Sequence, residues 1–407
     1  MAHDATSILL CEPQCWGFEH APFNAALIAT ALEADPHAEL TFAGEKSHLA
    51  CVRAVLARHH SNNARRVRWE EIAIPARNLA GWRRLRSETD WCRLMLRVAR
   101  QTQARALIVC SLTETGLLVL KSLLAADRTR TPVLATLHGV LASVEHTAAS
   151  RPWHWALSLR QVLRLPHPGR LTYLALGASI RQCLAESMPR AAAHFQVLDH
   201  PQFMEDVPDS SAPAGPIRFG FLGAARAAEK GADSFFRMAQ HVTRKRLHLE
   251  GEFVVVGFLA DPPETVPDPG GEVRGVSRTP LPLEEYCRRA RELTYAVGLA
   301  DPSHYRLVAN ASFLDALRFG KPGVYLRTAY LQHYFDALGD IGYLCDSGEE
   351  MEAVVCSILE EFPAARYRQQ CENIQRGRRL FEPQQVAGQL RAILGTVERR
   401  LQDDSSG

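Results

Sequence analysis

Short apolar runs alternate with longer segments of helical periodicity along most of the 407-residue chain. In the first half this pattern predicts strands at Ile8–Cys11, Ala38–Phe42, Val67–Ile74, Ala106–Cys110, Pro132–Leu137 and Leu171–Leu176. Helices are predicted between them, at Phe23–Glu33, His48–Ala57, Ala80–Arg100, Glu114–Ala126 and Ile180–Ser187. Such alternation is typical of right-handed crossovers and a mostly parallel sheet with helices on both faces.

The pattern stops between Met204 and Ile217, a stretch rich in proline, serine, glycine and aspartate. Because this composition cannot bury a core, it predicts an inter-domain linker over residues 201–216. The alternation then resumes with predicted strands at Arg218–Leu222, Glu252–Gly257, Tyr295–Leu299, Gly323–Leu326 and Ile341–Leu344. The predicted helices are Asp233–Val242, Leu283–Leu293, Ala311–Phe319, Glu349–Glu361, Ala364–Arg378 and a last helix from Pro383 to about Gln402.

The two series predict an α/β fold class with two Rossmann-like, doubly wound domains, residues 1–200 and 217–382. Open parallel sheets bind their ligands outside the carboxyl ends of the strands. We therefore expect a binding site in the cleft between the two sheets. Loops that directly follow strands are the places where functional side chains are expected.

Composition narrows the class of protein without identifying it. Hydrophobic residues form 46% of the chain and charged residues 23%, which excludes a mainly disordered protein. The 47 basic residues nearly balance the 45 acidic ones, so the overall charge gives no case for a nucleic-acid partner. The ten cysteines include no CxxC pair, which argues against a disulfide framework or a zinc site. With no secretory signal and no apolar run of about 18 residues, a cytoplasmic protein without a membrane span is expected.

The loop that opens the second half has the features of an anion-binding site. The apolar run from Ile217 ends at Gly223, and Arg226 and Lys230 follow before Gly231 and a predicted helix. Exposed amides and the positive end of a helix dipole favour an anion, and two cations suit a diphosphate. The alternative is a solvated turn at residues 229–231. The loop matches neither the Walker A nor the GxGxxG fingerprint.

A second segment runs from Asn310 to Pro322 and has the signals of a capped helix. Asn310 is a suitable N-cap, and Gly320 is a helix end before proline. Asp315, inside this helix, can accept two hydroxyl donors of the kind that a ribose offers. The alternative is that Asp315 only stabilises the N-terminal part of the helix.

These segments together resemble the C-terminal domain of retaining glycosyltransferases with the GT-B fold, in a family-4-like form. The matching stretches read Phe221-Leu-Gly223, Glu229-Lys-Gly231 and Leu314-Asp-Ala-Leu-Arg-Phe-Gly-Lys-Pro322-Gly-Val324. In that family a Gly-Arg … Glu-Lys-Gly loop and a Glu-x7-Glu segment bind the nucleotide sugar. The resemblance covers the motifs of residues 217–345, and the rest of the chain only in its architecture.

The resemblance implies a donor site in the second domain. Lys230 and Arg226, next to Gly223, would hold the diphosphate, and Asp315 would stand for the second Glu, on the ribose. The chain departs from the family pattern in two places. Leu307 stands where the family has its first Glu, and Arg226 precedes Lys230 by four residues instead of five.

Further implications concern the sugar, the metal and the last helix. The loop Asp301–Arg306 takes the place of the family's sugar-contacting segment, so Tyr305, Arg306 and Asn310 are candidates to hold a phosphate or a sugar hydroxyl. No cofactor is implied beyond the nucleotide-diphosphate sugar, which is the donor substrate. No metal is implied either, since no convincing DxD motif follows a strand. The last helix, about 383–402, is expected to return to the N-terminal domain.

Two loops of the first half carry candidate catalytic residues. Glu19 and His20 lie in the loop Gly17–Asn24 after the first strand, where they are acid/base candidates on the acceptor side. The alternative for this loop is local capping of the next helix. His138 follows another strand, and the resemblance places a similar histidine beside the donor sugar. A structural histidine is the alternative, since a lone histidine is weak evidence.

A basic and aromatic stretch lies between His146 and Glu186, with no acidic residue inside it. Its basic and aromatic members are Arg151, Trp153, Trp155, Arg160, Arg164, Arg170 and Arg181. Tryptophan and arginine on one segment suit a membrane surface, and the stretch Trp82–Arg86 has the same character. Peripheral membrane contact on the cytoplasmic side is one interpretation, and solvated helix faces are the other.

The sequence as a whole favours a glycosyltransferase that moves a sugar from a nucleotide-diphosphate donor to a hydroxyl acceptor. The acceptor would be a glycan, a polysaccharide or a lipid-linked molecule, and retention is implied by the resemblance alone. Lys230 and Arg226 would stabilise the departing diphosphate without a metal. Two alternatives stay open, a non-catalytic sugar- or partner-binding protein of the same fold and a nucleotide-sugar epimerase.

Overall fold

The computed structural model describes residues 7–126, 131–145, 158–207, 215–245, 251–261 and 271–406. The chain divides into two compact units. Unit 1 contains the chain up to Phe203, the short stretch Leu307–Ala309 and the C-terminal part from Leu380. Unit 2 contains Met204–Arg306 and Asn310–Arg379.

Unit 1 is built on a parallel sheet. Its strands are β1 Ser7–Cys11, β2 Glu39–Gly44, β3 Val67–Glu71, β4 Ala104–Val109, β5 Val133–Thr136, β6 Leu171–Ala175 and β7 Phe195–Val197. They lie in the order β3-β2-β1-β4-β5-β6-β7. The central strands are near-continuous apolar runs because both faces of the sheet are covered. The strand order reverses between β1 and β4, so their carboxyl ends form the topological switch point of this sheet.

The helices of unit 1 cover this sheet. They are α1 Ala21–Ala34, α2 Lys46–His59, α3 Ser61–Arg66, α4 Gly81–Gln101, α5 Glu114–Ala126, α6 Leu159–Arg164, α7 Ala178–Ser187 and α8 Pro189–Ala192, with a 3-10 turn at Gly139–Val144. The C-terminal helix Pro383–Ser406 belongs to this unit and packs along α1. Arg391 Nε donates to the carbonyl of Ala34 at 2.9 Å, and the Arg105 guanidinium pairs with both Asp35 and Glu398.

Unit 2 has a second parallel sheet. Its strands are β8 Ile217–Ala225, β9 Gly251–Leu259, β10 Val273–Arg274, β11 Tyr295–Gly298, β12 Gly323–Leu326 and β13 Gly342–Cys345. They lie in the order β10-β9-β8-β11-β12-β13. The core under β8 and β9 is aromatic, because Phe219, Phe235 and Phe253 are buried there.

The helices of unit 2 begin at polar caps where the sequence supplies them. They are α9 Ala227–Lys230, α10 Ala232–Lys245, α11 Leu283–Glu292, α12 Ala311–Arg318, α13 Ala329–Leu338, α14 Gly348–Glu360 and α15 Ala364–Gly377, with 3-10 turns at His304–Arg306 and Arg378–Phe381. The side chain of Thr328 accepts a hydrogen bond from the amide of Leu331 at 3.2 Å, and that of Ser347 accepts one from Glu350 at 3.2 Å. Hydroxyl side chains at this position satisfy amides that the first helical turn leaves free.

The two parallel sheets confirm the predicted α/β fold class. The strand bounds differ from prediction at β3, which ends at Glu71 and not at Ile74, and at β8, which continues to Ala225. Strands β7 and β10 and helix α13 were not predicted. In the predicted linker, residues 208–214 lie outside the described residues, and Gln202 N donates to the carbonyl of Phe381 at 2.8 Å.

Candidate functional site

The loop after β8 forms a compact helical turn. Arg226 stands at the N-cap of α9, and Gly231 ends that helix with φ +66°. A Cβ on Gly231 would lie 2.3 Å from the carbonyl oxygen of Leu299, so this turn requires glycine for space as well as for its left-handed backbone. The turn brings Lys230 back over Gly223, and its Nζ lies 3.8 Å from the position that a Cβ on Gly223 would take.

Several backbone amides of this loop already have acceptors within the protein. The carboxylate of Asp261, two residues after β9, accepts the hydrogen bond of the Ala227 amide. The amides of Lys230 and Ala232 both donate to the carbonyl of Arg226, at 3.2 and 3.1 Å. These amides are occupied because an acid from the neighbouring strand end caps the loop, and the side chains of Arg226 and Lys230 offer positive charge to a ligand.

The pKa of Lys230 is influenced by three charged neighbours, Arg226, Glu229 and Asp315. Burial lowers the pKa of its ammonium, and the neighbouring Arg226 lowers it further, while Asp315 and Glu229 act in the opposite direction. Arg226 itself is half-exposed and pairs with Glu229 at 3.2 Å. A partly buried ammonium beside a second cation makes this place favourable for an anion.

Asp315 lies close enough to Lys230 to influence its pKa, although the two residues are 85 positions apart in the sequence, 315 minus 230. The hydroxyl of Tyr286, on α11, donates to Oδ2 of Asp315 at 2.7 Å. Burial and the Asp315 carboxylate together raise the pKa of Tyr286 well above its ordinary value. One carboxylate oxygen of Asp315 therefore has a tyrosine partner, a contact that sequence reasoning did not anticipate.

The other predicted donor-site residues divide into two groups. Tyr305 joins the cluster, since Glu229 and Arg226 both influence its pKa, which burial raises to about 12. Asn310 is 3% exposed and accepts from the amide of Phe313 at 3.1 Å, so its side chain serves as the helix cap. Arg306 ends the 3-10 turn His304–Arg306. Leu307, where the resembling family has an acid, is 1% exposed.

In unit 1, polar residues collect at the carboxyl ends of the strands. Glu12 directly follows β1, Ser111 follows β4 after one residue, and His138 follows β5 after one residue. Glu12 is fully buried, and the hydroxyl of Ser111 donates to its Oε1. This contact crosses the topological switch point, where ligands of such sheets bind.

Three histidines and one phenylalanine form a cluster at the same edge. The ring of His138 lies 4.4 Å from that of His20 and 5.7 Å from that of His200, and Phe23 lies 5.3 Å from His138. Burial, followed by the charges of His20 and His200, holds the pKa of His138 well below its usual value. Burial also lowers the pKa of His200 to about 4. His138 and His200 are therefore neutral at physiological pH.

His138 has one nitrogen without a protein partner. Its Nδ1 is buried, and no group in the described part of the chain lies within hydrogen-bond distance of it. A neutral imidazole in this state can accept or donate one hydrogen bond, depending on its tautomer. The structure thus brings His20 and His138 together, because their loops follow strands β1 and β5 at the same edge of the sheet.

Glu19 is placed differently from His20. Its carboxylate forms an ion pair with Arg77, and its side chain is 43% exposed. The guanidinium of Arg77 also lies over the ring of Trp16, 4.8 Å from the centroid. Glu19 therefore holds the loop of residues 16–20 against the segment before α4, and the neighbouring residue His20 faces the cluster.

A buried hydrogen-bond network fixes this loop from the other side. The amide of Asn24 donates to Oε2 of Glu12 at 3.2 Å and lies 2.9 Å from Nε2 of His48. Nδ1 of His48 lies 2.9 Å from the carbonyl of Gly17. A His48 tautomer protonated on Nδ1 satisfies both contacts, donating to Gly17 and accepting from Asn24. Sequence reasoning did not identify Glu12, although an acid directly after a buried strand is a usable signal.

One group of described residues has donor atoms close enough to hold a metal ion. Ligand atoms of Glu12, Cys15 and His20 lie within 4.8 Å of one another. Burial, followed by the charge of Glu12 and a hydrogen bond to it, strongly raises the pKa of the Cys15 thiol. The thiol is therefore protonated at physiological pH, and the carboxylate of Glu12 already accepts from Gln14 N, Asn24 and Ser111.

Residues 158–186 are the described part of the basic stretch, and their arginines differ in surroundings. Arg160 donates to the carbonyls of Val144 and Ser187, and Arg181 donates to that of Phe195. Arg170 is 6% exposed. Arg164 and Arg181 are nevertheless exposed, so the peripheral membrane contact stays a prediction. Arg151, Trp153 and Trp155 lie outside the described residues.

Solved structures of glycosyltransferases share this fold. The sucrose-phosphate synthase of Thermosynechococcus elongatus has a TM-score of 0.65 at 12% identity, over 98% of this chain and 100% of that one. HepE of Anabaena, solved with UDP and glucose, has 0.62 at 13%, over 96% and 100%. The lipopolysaccharide outer core galactosyltransferase WaaB has 0.62 at 10%, over 95% and 98%. At these identities the likeness concerns the fold, which is the GT-B architecture of two Rossmann-like domains.

No protein-family model and no curated protein sequence matches the chain. In the part of the chain that the structure describes, no helix combines the length and the apolar character that crossing a bilayer requires.

Proposed function

We propose that this chain is a glycosyltransferase that transfers a sugar from a nucleotide-diphosphate donor to a hydroxyl acceptor. Unit 2 supplies the donor side and unit 1 the acceptor side. The observation that carries the proposal is the cluster at the end of β8, where the partly buried ammonium of Lys230 lies over Gly223, and Arg226 and Asp315 are near enough to influence its pKa.

The diphosphate is the part of the donor that this cluster suits. As the bond to the sugar breaks, negative charge grows on the departing nucleoside diphosphate, and fixed cations that meet it lower the barrier. Lys230 is positioned for this by the turn that Gly231 allows. Arg226 contributes from a more exposed place, so water screens its charge more strongly.

Asp315 and Tyr286 act together in this proposal. Asp315 keeps Lys230 charged, and its carboxylate also accepts a ribose hydroxyl, as the resemblance implies. Tyr286 orients the carboxylate through the 2.7 Å hydrogen bond. Tyr305 and Arg306 are assigned to phosphate or sugar hydroxyls, whereas Asn310 is left to its role as a helix cap.

His138 is assigned to the donor sugar and His20 to the acceptor. A neutral His138 has a buried, unpartnered Nδ1, and this nitrogen can exchange one hydrogen bond with a sugar hydroxyl. His20 is the acid/base candidate for the acceptor hydroxyl, and Glu19, with its partner Arg77, positions the loop that carries it. Retention of the anomeric configuration is proposed from the sequence resemblance alone.

The proposed reaction needs no metal, because Lys230 and Arg226 supply the charge that a divalent cation supplies elsewhere. Transfer should therefore persist after dialysis against a chelator, and a full loss that Mg²⁺ or Mn²⁺ restores would contradict this part. The proposal also places the enzyme in the cytoplasm, at the inner face of a membrane.

One observation favours a second candidate, a non-catalytic sugar-binding protein. Leu307 stands where the resembling family has its first Glu, so the chain has no acid at that position. The leucine side chain is buried. A thermal-shift screen with UDP-, GDP-, ADP- and dTDP-sugars tests whether a donor binds, since a ligand of the folded state raises the melting temperature. Stabilisation by none of them would contradict the proposed function, and slow release of free sugar separates the enzyme from a binder.

A further inference from the structure

Helix α4 carries a stripe of arginines on its outward face. The side chains that point into unit 1 are those of Glu88, Trp91, Cys92, Met95, Leu96 and Ala99. Exposed side chains recur every three or four residues along the helix, at Arg83, Arg86, Asp90, Arg93, Arg97 and Arg100. Five of these six are arginine, so one face of a 21-residue helix has a formal charge of +4, five minus one. We call these six residues the basic stripe.

The basic stripe is costly to the isolated protein. Arg93 and Arg97 are four residues apart, which places like charges on adjacent turns and destabilises a helix. Arg83, Arg93 and Arg97 have no ion-pair partner among the residues that the structure describes, and Asp90 lies 4.0 Å from Arg86 at the surface. A solvated helix face would be expected to alternate its charges, whereas this face does not. The stripe is therefore complementary to an anionic partner.

Two exposed aromatic side chains lie in α4 and in the loop after β1. Trp82, the second residue of α4, is 84% exposed, and Phe18 is 43% exposed. Arg77 connects the two segments, because it pairs with Glu19 and lies over Trp16. The segment that leads into α4 thus contacts the loop that carries His20.

An exposed tryptophan beside a row of arginines matches the interface of an anionic membrane. The indole ring favours the headgroup level of a bilayer, and arginine is attracted to the negative surface potential. The net charge of the whole chain is only +2, so the stripe is a local feature and not a reflection of a basic protein. A nucleic-acid partner would not account for the isolated tryptophan at one end.

We propose that the basic stripe and Trp82 dock unit 1 onto an anionic phospholipid surface, with the loop of His20 beside the bilayer. A lipid-anchored acceptor would then reach this loop without leaving the membrane. The access of a lipid-anchored acceptor to this loop rests on the proposed function. The docking of unit 1 onto the membrane does not depend on any transfer activity.

Sedimentation with lipid vesicles tests the docking. The full chain should bind vesicles of phosphatidylcholine mixed with phosphatidylglycerol, and it should bind pure phosphatidylcholine vesicles far more weakly. Salt should reduce the binding, because the contacts are exposed charges. Each arginine at an anionic surface strengthens partitioning about five-fold, so Arg93→Ala with Arg97→Ala should weaken it roughly 25-fold. Trp82→Ala should weaken it as well, in a manner that salt does not change.

A matched control uses exposed arginines of unit 2. Arg368→Ala with Arg379→Ala removes the same charge from another surface and should leave vesicle binding within about two-fold of wild type. Thermal melts of all variants check folding, and since the stripe residues are exposed, the melts should be unchanged or slightly raised. Equal losses in both double variants would show that only total charge matters, which overturns the proposal.

Two further outcomes would also overturn the docking. One is absence of wild-type binding to the anionic vesicles, and the other is tight binding to an RNA or heparin column without binding to vesicles. Transfer assays separate the two proposals. Vesicle binding that depends on the stripe, in a protein that turns over no nucleotide sugar, would end the proposed function and leave the docking intact. Sugar transfer by a protein that does not bind vesicles would end the docking proposal and leave the proposed function intact.

Discussion

Replacing Lys230 by methionine should weaken nucleoside diphosphate binding while leaving the free protein at least as stable. The two effects have opposite directions because of where the ammonium lies. In the free protein, burial and Arg226 penalise the charged form, which is why its pKa is lowered. A methionine of similar length fills the space over Gly223 without that penalty. A bound diphosphate, by contrast, loses its nearest buried cation.

The size of the loss follows from the type of contact. A charge-assisted hydrogen bond to a phosphate oxygen contributes about 1.5–3 kcal/mol, which is roughly ten- to more than a hundredfold in affinity. Lys230→Met should fall toward the upper end, because the nearby charge of Asp315 then loses the cation that offsets it. Arg226→Ala should cost less than about 1 kcal/mol, since its guanidinium is half-exposed and already pairs with Glu229.

Titration calorimetry with UDP, GDP, ADP and dTDP, paired with thermal melts, measures both quantities. Lys321→Met is the matched control, because Lys321 is another lysine of unit 2 whose pKa burial lowers, to about 8, and no donor contact is assigned to it. The wild-type affinity should also fall as the pH rises through the lowered pKa of Lys230, and the variant should lack this dependence. Unchanged diphosphate affinity in Lys230→Met, or a loss of stability larger than the loss of affinity, would refute the reasoning and make Lys230 a structural residue.

The remaining predictions concern three other places. Asp315→Asn should weaken nucleoside diphosphate binding several-fold and Tyr286→Phe by a smaller factor, with free-sugar binding unaffected in calorimetry; equal binding by wild type and Asp315→Asn would return Asp315 to helix stabilisation. His138→Ala should lower kcat strongly at near-wild-type nucleotide affinity, and His20→Ala should raise the acceptor KM while slow donor hydrolysis continues; a His138→Ala enzyme with normal transfer would remove that assignment. His200 stays neutral in the folded unit, with its pKa lowered to about 4, but binds a proton near its ordinary pKa of about 6.5 when unfolded. Its contribution to stability is therefore present above about pH 6.5 and is lost as the pH falls toward 4, by up to roughly 3 kcal/mol. Urea unfolding of wild type and His200→Phe across this range should show a shallower pH dependence in the variant, and identical slopes would contradict the assignment.

Much of the sheet architecture was predictable because buried parallel strands are continuous apolar runs. Strand β4 and helix α5 lie almost where the hydrophobic pattern predicts them. Strand β7 has three residues and β10 has two. Segments this short do not show a recognisable hydrophobic period. Helix α13 was missed because its tyrosine-rich sequence has high strand propensity, although Thr328 supplies an N-cap signal.

The sequence could predict only those parts of the candidate site that lie within a single loop or a single helix. The placement of Arg226, Lys230, Tyr305 and Asp315 in one cluster follows from the rule that strand carboxyl ends meet at one edge. Tyr286, by contrast, lies on another helix, 29 positions before Asp315 in the sequence. A local sequence pattern cannot predict a contact at that separation. The same limit explains Asp261, whose capping of the Ala227 amide depends on the pairing of two strands.

The first half shows a second reason for failure. The sequence does not tell which arginines of residues 160–181 are buried: Arg164 and Arg181 are exposed, whereas Arg170 is 6% exposed. Arg170 donates to a backbone carbonyl, a use that depends on which carbonyls the fold leaves unsatisfied. The stripe on α4 was partly visible as Trp82–Arg86, but its length became clear only once the helix face was known.

Donor turnover by the purified chain tests the central claim most directly. The protein is incubated with whichever nucleotide sugar stabilises it most, with and without a hydroxyl acceptor, and the products are separated by mass spectrometry. The account predicts slow release of nucleoside diphosphate and free sugar from the wild type, acceleration by an acceptor with formation of a new glycoside, and loss of both in Lys230→Met. A donor that binds but is returned unchanged at every acceptor tried, or one whose sugar is epimerised without release of the diphosphate, would contradict it.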